Sequence, residues 1–268
     1  MKLMHARLAL AAIAGREVHK FLRQPGRLAS SLVRPLLWLV VFSAGFRQVA
    51  DLGGVIPFDP ALDYRLYMAP GLALMVCLFN GMQSSLAMVY DREMGVMRLL
   101  LTAPLPRSYL LACKLAGGAF LSVLQALVFL ILVVLWGIGL SPLQVLLGLP
   151  VLVLSALMLS AFGLVLSVYI KQVENFAGTM NFVIFPMFFL SSALYPIQRM
   201  LDAGAHWIYW LAAFNPFTHA VEALRYAMYG EIAGRSLAVV LVSTLLFYLV
   251  AAAGYDPQRG LSKTARPG

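Results

Sequence analysis

Residues Tyr90 to Lys114 read YDREMGVMRLLLTAPLPRSYLLACK, a charged stretch set between two long apolar runs. Upstream, Leu66 to Val89 carries no charge. Downstream, the run from Leu115 to Ile170 holds no Asp, Glu, Lys, Arg or His. A helix needs about 20 apolar residues to cross a bilayer. The charged stretch therefore reads as the tip of a hairpin between membrane helices, and the fold class as all-α integral membrane. The composition agrees, at 62% hydrophobic and 12% charged, where a soluble domain carries roughly a quarter charged residues.

The spacing predicts six transmembrane helices. Span one runs from about Ser30 to Phe46, with Arg34-Pro35 near its start, and span two from Leu66 to Val89. The run from Leu115 to Ile170 is too long for one crossing, and Gly137 to Pro142 divides it into spans three and four. Span five is expected from about Asn175 to Tyr195, and span six from Ser236 to about Tyr255. With both termini inside, 15 of the 20 Lys and Arg residues fall on the cytoplasmic side. Arg47, Arg65, Arg199, Arg225 and Arg235 are left outside, and this bias sets the orientation. The basic pI of 9.8 then reflects membrane topology and not nucleic-acid binding.

The flanks fit the same frame. Lys2, Arg7 and the apolar Leu8–Ala14 look superficially like a signal peptide, but the apolar core is at the short end of that class. Residues 1–26 are better read as an amphipathic helix in the membrane interface. Leu3, Leu10, Ala14, Val18, Phe21 and Leu22 share one face; His5, Arg16, Lys20 and Arg23 share the other, toward anionic headgroups. Residues 197–235 carry Trp207, Tyr209, Trp210, Phe214 and Phe217, and read as one or two short helices, re-entrant or interfacial, on the outer side. The whole chain, residues 1–268, reads as a single transmembrane domain.

The chemistry that is missing narrows the function. No ionisable residue lies mid-span in spans two to six, where ion-coupled carriers keep their binding groups. There is no H-E-x-x-H, no G-x-S-x-G and no phosphate-binding G-x-x-x-x-G-K-[ST]. Asp202 and His206 at i, i+4, with His219 and Glu222 at i, i+3, leave open an intramembrane enzyme or an assembly scaffold on the outer face. The simpler reading is polar residues facing water, with no metal. Cys77 and Cys113 fall at different depths and imply no disulfide.

Within the charged stretch, Asp91, Arg92 and Glu93 leave the membrane and Gly95 breaks the turn. Val96, Met97, Leu99, Leu100 and Leu101 make a short helix too apolar for water, closed by Pro104 and Pro106. Such a helix either lies on the inner leaflet or inserts into a groove of a soluble partner.

Three features resemble the type-2 ABC exporter permeases, the family of nodulation-factor, antibiotic-efflux and polysaccharide permeases. The run from Arg92-Glu93-Met94-Gly95 to Leu100-Leu101-Thr102-Ala103-Pro104 is similar to the family's coupling loop, here residues 90–108. Asn215-Pro216-Phe217 through Glu222-Ala223-Leu224-Arg225-Tyr226 is similar to its segment before the last span. The layout is similar too. The resemblance implies the membrane subunit of an exporter in a bacterial inner membrane, paired with itself or a sister permease. Two ATPase subunits would hold the ATP and Mg, with no cofactor on this chain. It implies ATPase coupling through Asp91, Arg92, Glu93, Gly95, Met97, Arg98, Leu100 and Pro104, assisted by Arg16, Lys20 and Arg23. Many members carry an acid where this chain has Arg98. The implied route runs between subunits near spans one, two and five, past Phe182, Phe185, Phe189 and a helix-kinking Pro186, with Asn215, Pro216, Glu222 and Arg225 as the outer motif.

Overall fold

A computed structural model describes Gly15 and residues 25–46, 64–95, 106–170 and 172–255. Among these the chain is all-helical. The helices are α1 (Pro25–Phe46), α2 (Tyr64–Glu93), α3 (Arg107–Leu135), α4 (Pro142–Tyr169), α5 (Val173–Phe189), α6 (Gln198–Asp202), α7 (His206–Phe214), α8 (Pro216–Met228) and α9 (Gly234–Gly254). The interface helix of residues 1–26 lies almost entirely outside the described residues.

Among the described residues four helices, α2, α3, α4 and α9, are long and apolar enough to cross a membrane. The 21 residues of α9 extend about 31 Å at about 1.5 Å each, matching a hydrocarbon core of about 30 Å. The break between spans three and four falls where expected. The Ser141 hydroxyl accepts from Leu143 N (3.3 Å), Ser141 N donates to the Gln144 side chain (2.9 Å), and Pro142 opens α4. The first apolar helix, α1, starts at Pro25, ahead of the expected Ser30, and ends at Phe46 as expected. One expected span comes out shorter. α5 stops at Phe189 after 17 residues, not at Tyr195.

At the centre α2 packs against α4. Gly81 and Gly163 let the two backbones close. A Cβ on Gly163 would stand 2.9 Å from the Gly81 carbonyl oxygen, and one on Gly81 would stand 3.1 Å from that of Leu159. Small residues at a crossing are how membrane helices gain packing when lipid supplies no hydrophobic drive. α3 joins on the next face, where the Asn80 amide donates to Gln125. The two cysteines are buried and unpaired.

The perimeter is greasy. Val33, Leu37 and Val41 on α1, and Leu241, Val242, Leu245, Leu246 and Leu249 on α9, are all exposed. Apolar surface on that scale belongs against lipid or another membrane subunit.

Candidate functional site

Three places on this frame carry chemistry, and the first is the Asp91 end of α2. Asp91 is buried and accepts a 3.0 Å ion-paired bond from Lys114 on α3. Arg92 reaches across to the C-terminus of α4, donating to the carbonyls of Ser167 and of Ile170 (3.1 Å). A guanidinium at the last carbonyls of a helix is favoured by the helix dipole. Beyond this pair the chain faces outward: Glu93 is exposed and Met94 is 61% exposed. Gly95 has φ 73°, a left-handed turn open to glycine. The eight residues expected to couple therefore divide. Asp91 and Arg92 tie α2 to α3 and α4, Glu93 and Gly95 sit at the outward step, and Met97, Arg98, Leu100 and Pro104 lie outside the described residues. So do Arg16, Lys20 and Arg23. On the same end Tyr248 of α9 donates to the Ser108 carbonyl at the start of α3 (2.9 Å), so all four long helices are cross-linked there.

The second place is an aromatic face where α1, α2 and α5 meet. Phe182 is 80% exposed, and Phe185 and Pro186 are exposed beside it. Phe185 meets Phe79 edge-on (6.2 Å) and stacks toward Phe189 (6.4 Å), which meets Trp38 (5.3 Å). Phe188 turns the other way, fully buried between Trp38 and Phe217 (both 6.1 Å). The face thus keeps Phe182, Phe185, Pro186 and Phe189 together. Arg34 lies over the ring of Phe79, 3.9 Å from its centroid. The sequence alone places Arg34 near the start of span one. Because α1 begins at Pro25, Arg34 is already in its third turn, opposite the middle of α2.

The third place is a polar knot at the Tyr64 end. Asn215 caps two helices at once. Its carbonyl oxygen accepts from Phe217 N at the start of α8 (3.0 Å), while its amide donates to the carbonyls of Met187 (2.7 Å) and Leu190 (2.6 Å) at the end of α5. That contact is why α5 ends early: its terminal carbonyls are satisfied from outside the helix. The released turn folds back beside α2, where Tyr64 donates to Leu194 O (2.8 Å) and Tyr67 to Ser192 O (3.1 Å). Arg225 is only 3% exposed. It donates to Ser192 O (2.8 Å) and Tyr67 O (3.3 Å) and lies over the Tyr67 ring at 3.8 Å. Beside it, burial and then the Glu222 carboxylate hold the Tyr226 phenol above its ordinary pKa.

The outer segment is therefore three helices, not one or two, and α8 is packed into the protein rather than laid on its surface. Its Leu224 and Met228 side chains fill the space at Gly148 of α4. The residues of the enzyme alternative are dispersed. Asp202 closes α6 and His206 opens α7, with Gly204 at φ 75° between them, so they share no helical face. His219 spends Nε2 on the Ala213 carbonyl (2.9 Å) and Nδ1 on Ser236 (3.3 Å), and Ser236 also reaches Glu222 (3.1 Å). Among the described residues no three His, Cys, Asp or Glu converge to hold a metal. Nothing in the sequence marks Tyr67 or Ser236 as partners of the outer motif, because both belong to other helices.

The family model of the ABC-2 type transporter matches residues 9–229, which includes the Asp91 end of α2, the aromatic face and the Asn215–Arg225 segment. The chain belongs to that family. It is similar to the inner membrane transport permease YadH of Escherichia coli K12, with 25% identity over 263 residues, 95% of this chain and 97% of that one. The transport permease ycf38 of Cyanophora paradoxa is 28% identical over 211 residues, 76% of this chain and 68% of the relative. Nodulation protein J of Rhizobium leguminosarum is 23% identical over 206 residues, 76% and 75%. As a member of the ABC-2 family the chain is a multi-pass membrane subunit of an ABC transporter, not itself an enzyme, and such subunits normally work with an ATP-binding partner.

Proposed function

We propose that the chain is one half of the membrane part of an ATP-driven exporter in a bacterial inner membrane. It pairs with a second copy or a sister permease and rests on two ATPase subunits, which hold all of the ATP and Mg. The single permease domain contributes six spans, with α1 and α5 as spans one and five beside α2, α3, α4 and α9. Both termini are cytoplasmic, and α6 to α8 form a re-entrant outer element. The observation that carries this reading is the Asp91 end. The segment between α2 and α3 is flanked by a platform in which Asp91–Lys114 and the Arg92 contacts join α2, α3 and α4. A push on that segment would move three helices together instead of bending one. The exposed Glu93–Met94 step meets the ATPase, and substrate leaves between subunits past Phe182, Phe185 and Phe189.

Co-purification of tagged protein from solubilised membranes tests this. An ATPase is expected to come with the wild type. Glu93→Ala is expected to lose stimulated ATP hydrolysis while still inserting. So is Gly95→Pro, because the proline ring forbids the positive φ of that turn. Wild-type stimulation in either variant would sink the coupling assignment. For topology, a cysteine at Ala103 is expected to label from the cytoplasm and one at Asp59 from outside.

A further inference from the structure

Arg34 is a cation that no acid neutralises among the described residues. Phe79, on which it rests, belongs to α2 and so does Asp91. At about 1.5 Å per residue, their separation along the helix puts the ring ~18 Å above the Asp91–Lys114 pair, close to the centre of a bilayer core about 30 Å thick. Phe185 of α5, which meets the same ring, stands as far from Val173 at the start of its helix as Phe79 does from Asp91. Two helices therefore give the same depth. Ionised side chains are rare there and mark substrate or ion pathways when they occur.

The surroundings say what kind of pathway. The ring of Phe79 holds one face of the guanidinium, a contact that stabilises a cation without discharging it. Among the described residues no hydrogen bond or ion pair to the Arg34 head is present, and no carboxylate lies at that level of α1 to α5; the described acids of these five helices are Asp91 and Glu93 at one end of α2, and Glu174 at the start of α5. Arg34 is only partly covered, and Phe185, which meets the same Phe79 ring, is exposed, as is Phe182 one turn before it. A guanidinium offers a planar fork that matches a carboxylate or phosphate. One turn further along α1, Trp38 continues the apolar row through Phe189 to Phe185. A charged head at Arg34 would leave the rest of a molecule lying along aromatic rings.

We propose that Arg34 is the recognition point for an anionic group, a carboxylate or phosphate, carried on an otherwise apolar cargo molecule. The word cargo rests on the exporter reading; the binding of an anion does not.

The test uses protein in phosphatidylcholine nanodiscs, with Trp136, Trp207 and Trp210 changed to Phe so that Trp38 is the sole donor. The probe is 11-(dansylamino)undecanoic acid, with its uncharged methyl ester as control. Energy transfer from Trp38 is expected to saturate with the acid and to rise only linearly with the ester. Arg34→Gln should weaken the acid's apparent affinity more than tenfold, and Arg34→Lys, which keeps charge and fold, should weaken it less. Equal saturation in Arg34→Gln, or indistinguishable acid and ester, overturns the proposal. So does loss of self-association in Arg34→Gln and Arg34→Ala with the acid still bound, which would make Arg34 an interface residue. Phosphatidylglycerol added to the discs separates the two sources of such an anion: displacement of the probe identifies a lipid headgroup as the natural ligand, and no displacement a non-lipid cargo. If no ATPase co-purifies with the wild type, the exporter reading fails while the titration still decides the anion site.

Discussion

Two arginines lie on aromatic rings of α2 at nearly the same distance, Arg225 over Tyr67 at 3.8 Å and Arg34 over Phe79 at 3.9 Å. The ring contact is common to both, and everything else differs. Arg225 is 3% exposed, and one terminal nitrogen of its head bonds the carbonyls of both Ser192 and Tyr67, which closes a structural knot. Arg34 has the ring and an open side. A cation over a ring is therefore not diagnostic of a role. The hydrogen bonds around the head decide whether the charge is used up in holding the fold or remains available.

The largest effect is expected at Arg225. Arg225→Ala removes two charge-assisted bonds and the contact with the Tyr67 ring, leaving Tyr67 as the donor to the Ser192 carbonyl, at a cost of about 3 kcal/mol. Unfolding of the purified protein by sodium dodecyl sulfate in mixed micelles measures it, and Arg225→Lys should recover part of the loss. A change under about 1 kcal/mol, the size of an ordinary neutral hydrogen bond, would show that the knot is not what holds α8 and the 190–197 turn against α2. The comparison would then fail on its structural side.

A smaller effect, about 2 kcal/mol, is expected for Asn215→Ala, which loses an N-cap and both amide bonds to the end of α5. Asn215→Asp separates the two jobs. A carboxylate can still cap α8, but it cannot donate to Met187 and Leu190, so it should retain roughly half of the stability. If Asp is as stable as Asn in the same titration, the cap alone matters and the early end of α5 has another cause.

These two residues also show where reading the sequence succeeds and where it stops. The long spans are legible because charge-free runs of that length have few alternatives, and the turn at Gly137 to Pro142 is legible because Ser141 and Gln144 cap it locally. The end of α5 is not, since Asn215 reaches it from the far side of α6 and α7 and no local signal at Phe189 announces a stop. α8 looks like a surface helix because His219, Glu222 and Arg225 are polar. Their partners, Ser236, the Ala213 carbonyl, Tyr67 and Ser192, come from elsewhere in the chain and let that polarity go inside. The depth of Arg34 is hidden in the sequence because the helix starts at Pro25 instead of Ser30. That earlier start puts Arg34 in the third turn of α1, over the Phe79 ring of α2, instead of in the first turn.

The smallest effect on stability, and the most discriminating, belongs to Arg34→Ala. Losing the ring contact costs roughly 0.5–1 kcal/mol. Removing a charge from the middle of a membrane helix recovers about 2.5–3.5 kcal/mol on insertion scales, less whatever water and lipid headgroups already relieve. The two terms oppose each other and the second is the larger, so the variant is expected to be as stable as the wild type or more so. A loss near that of Arg225→Ala in the same titration would mean that Arg34 is held by bonds to another subunit or to lipid, and the difference between the two arginines would vanish. An unchanged or raised stability, together with loss of the anionic probe, would mean that a cation persists at the membrane centre at a cost to the fold. Only something it binds would then account for it.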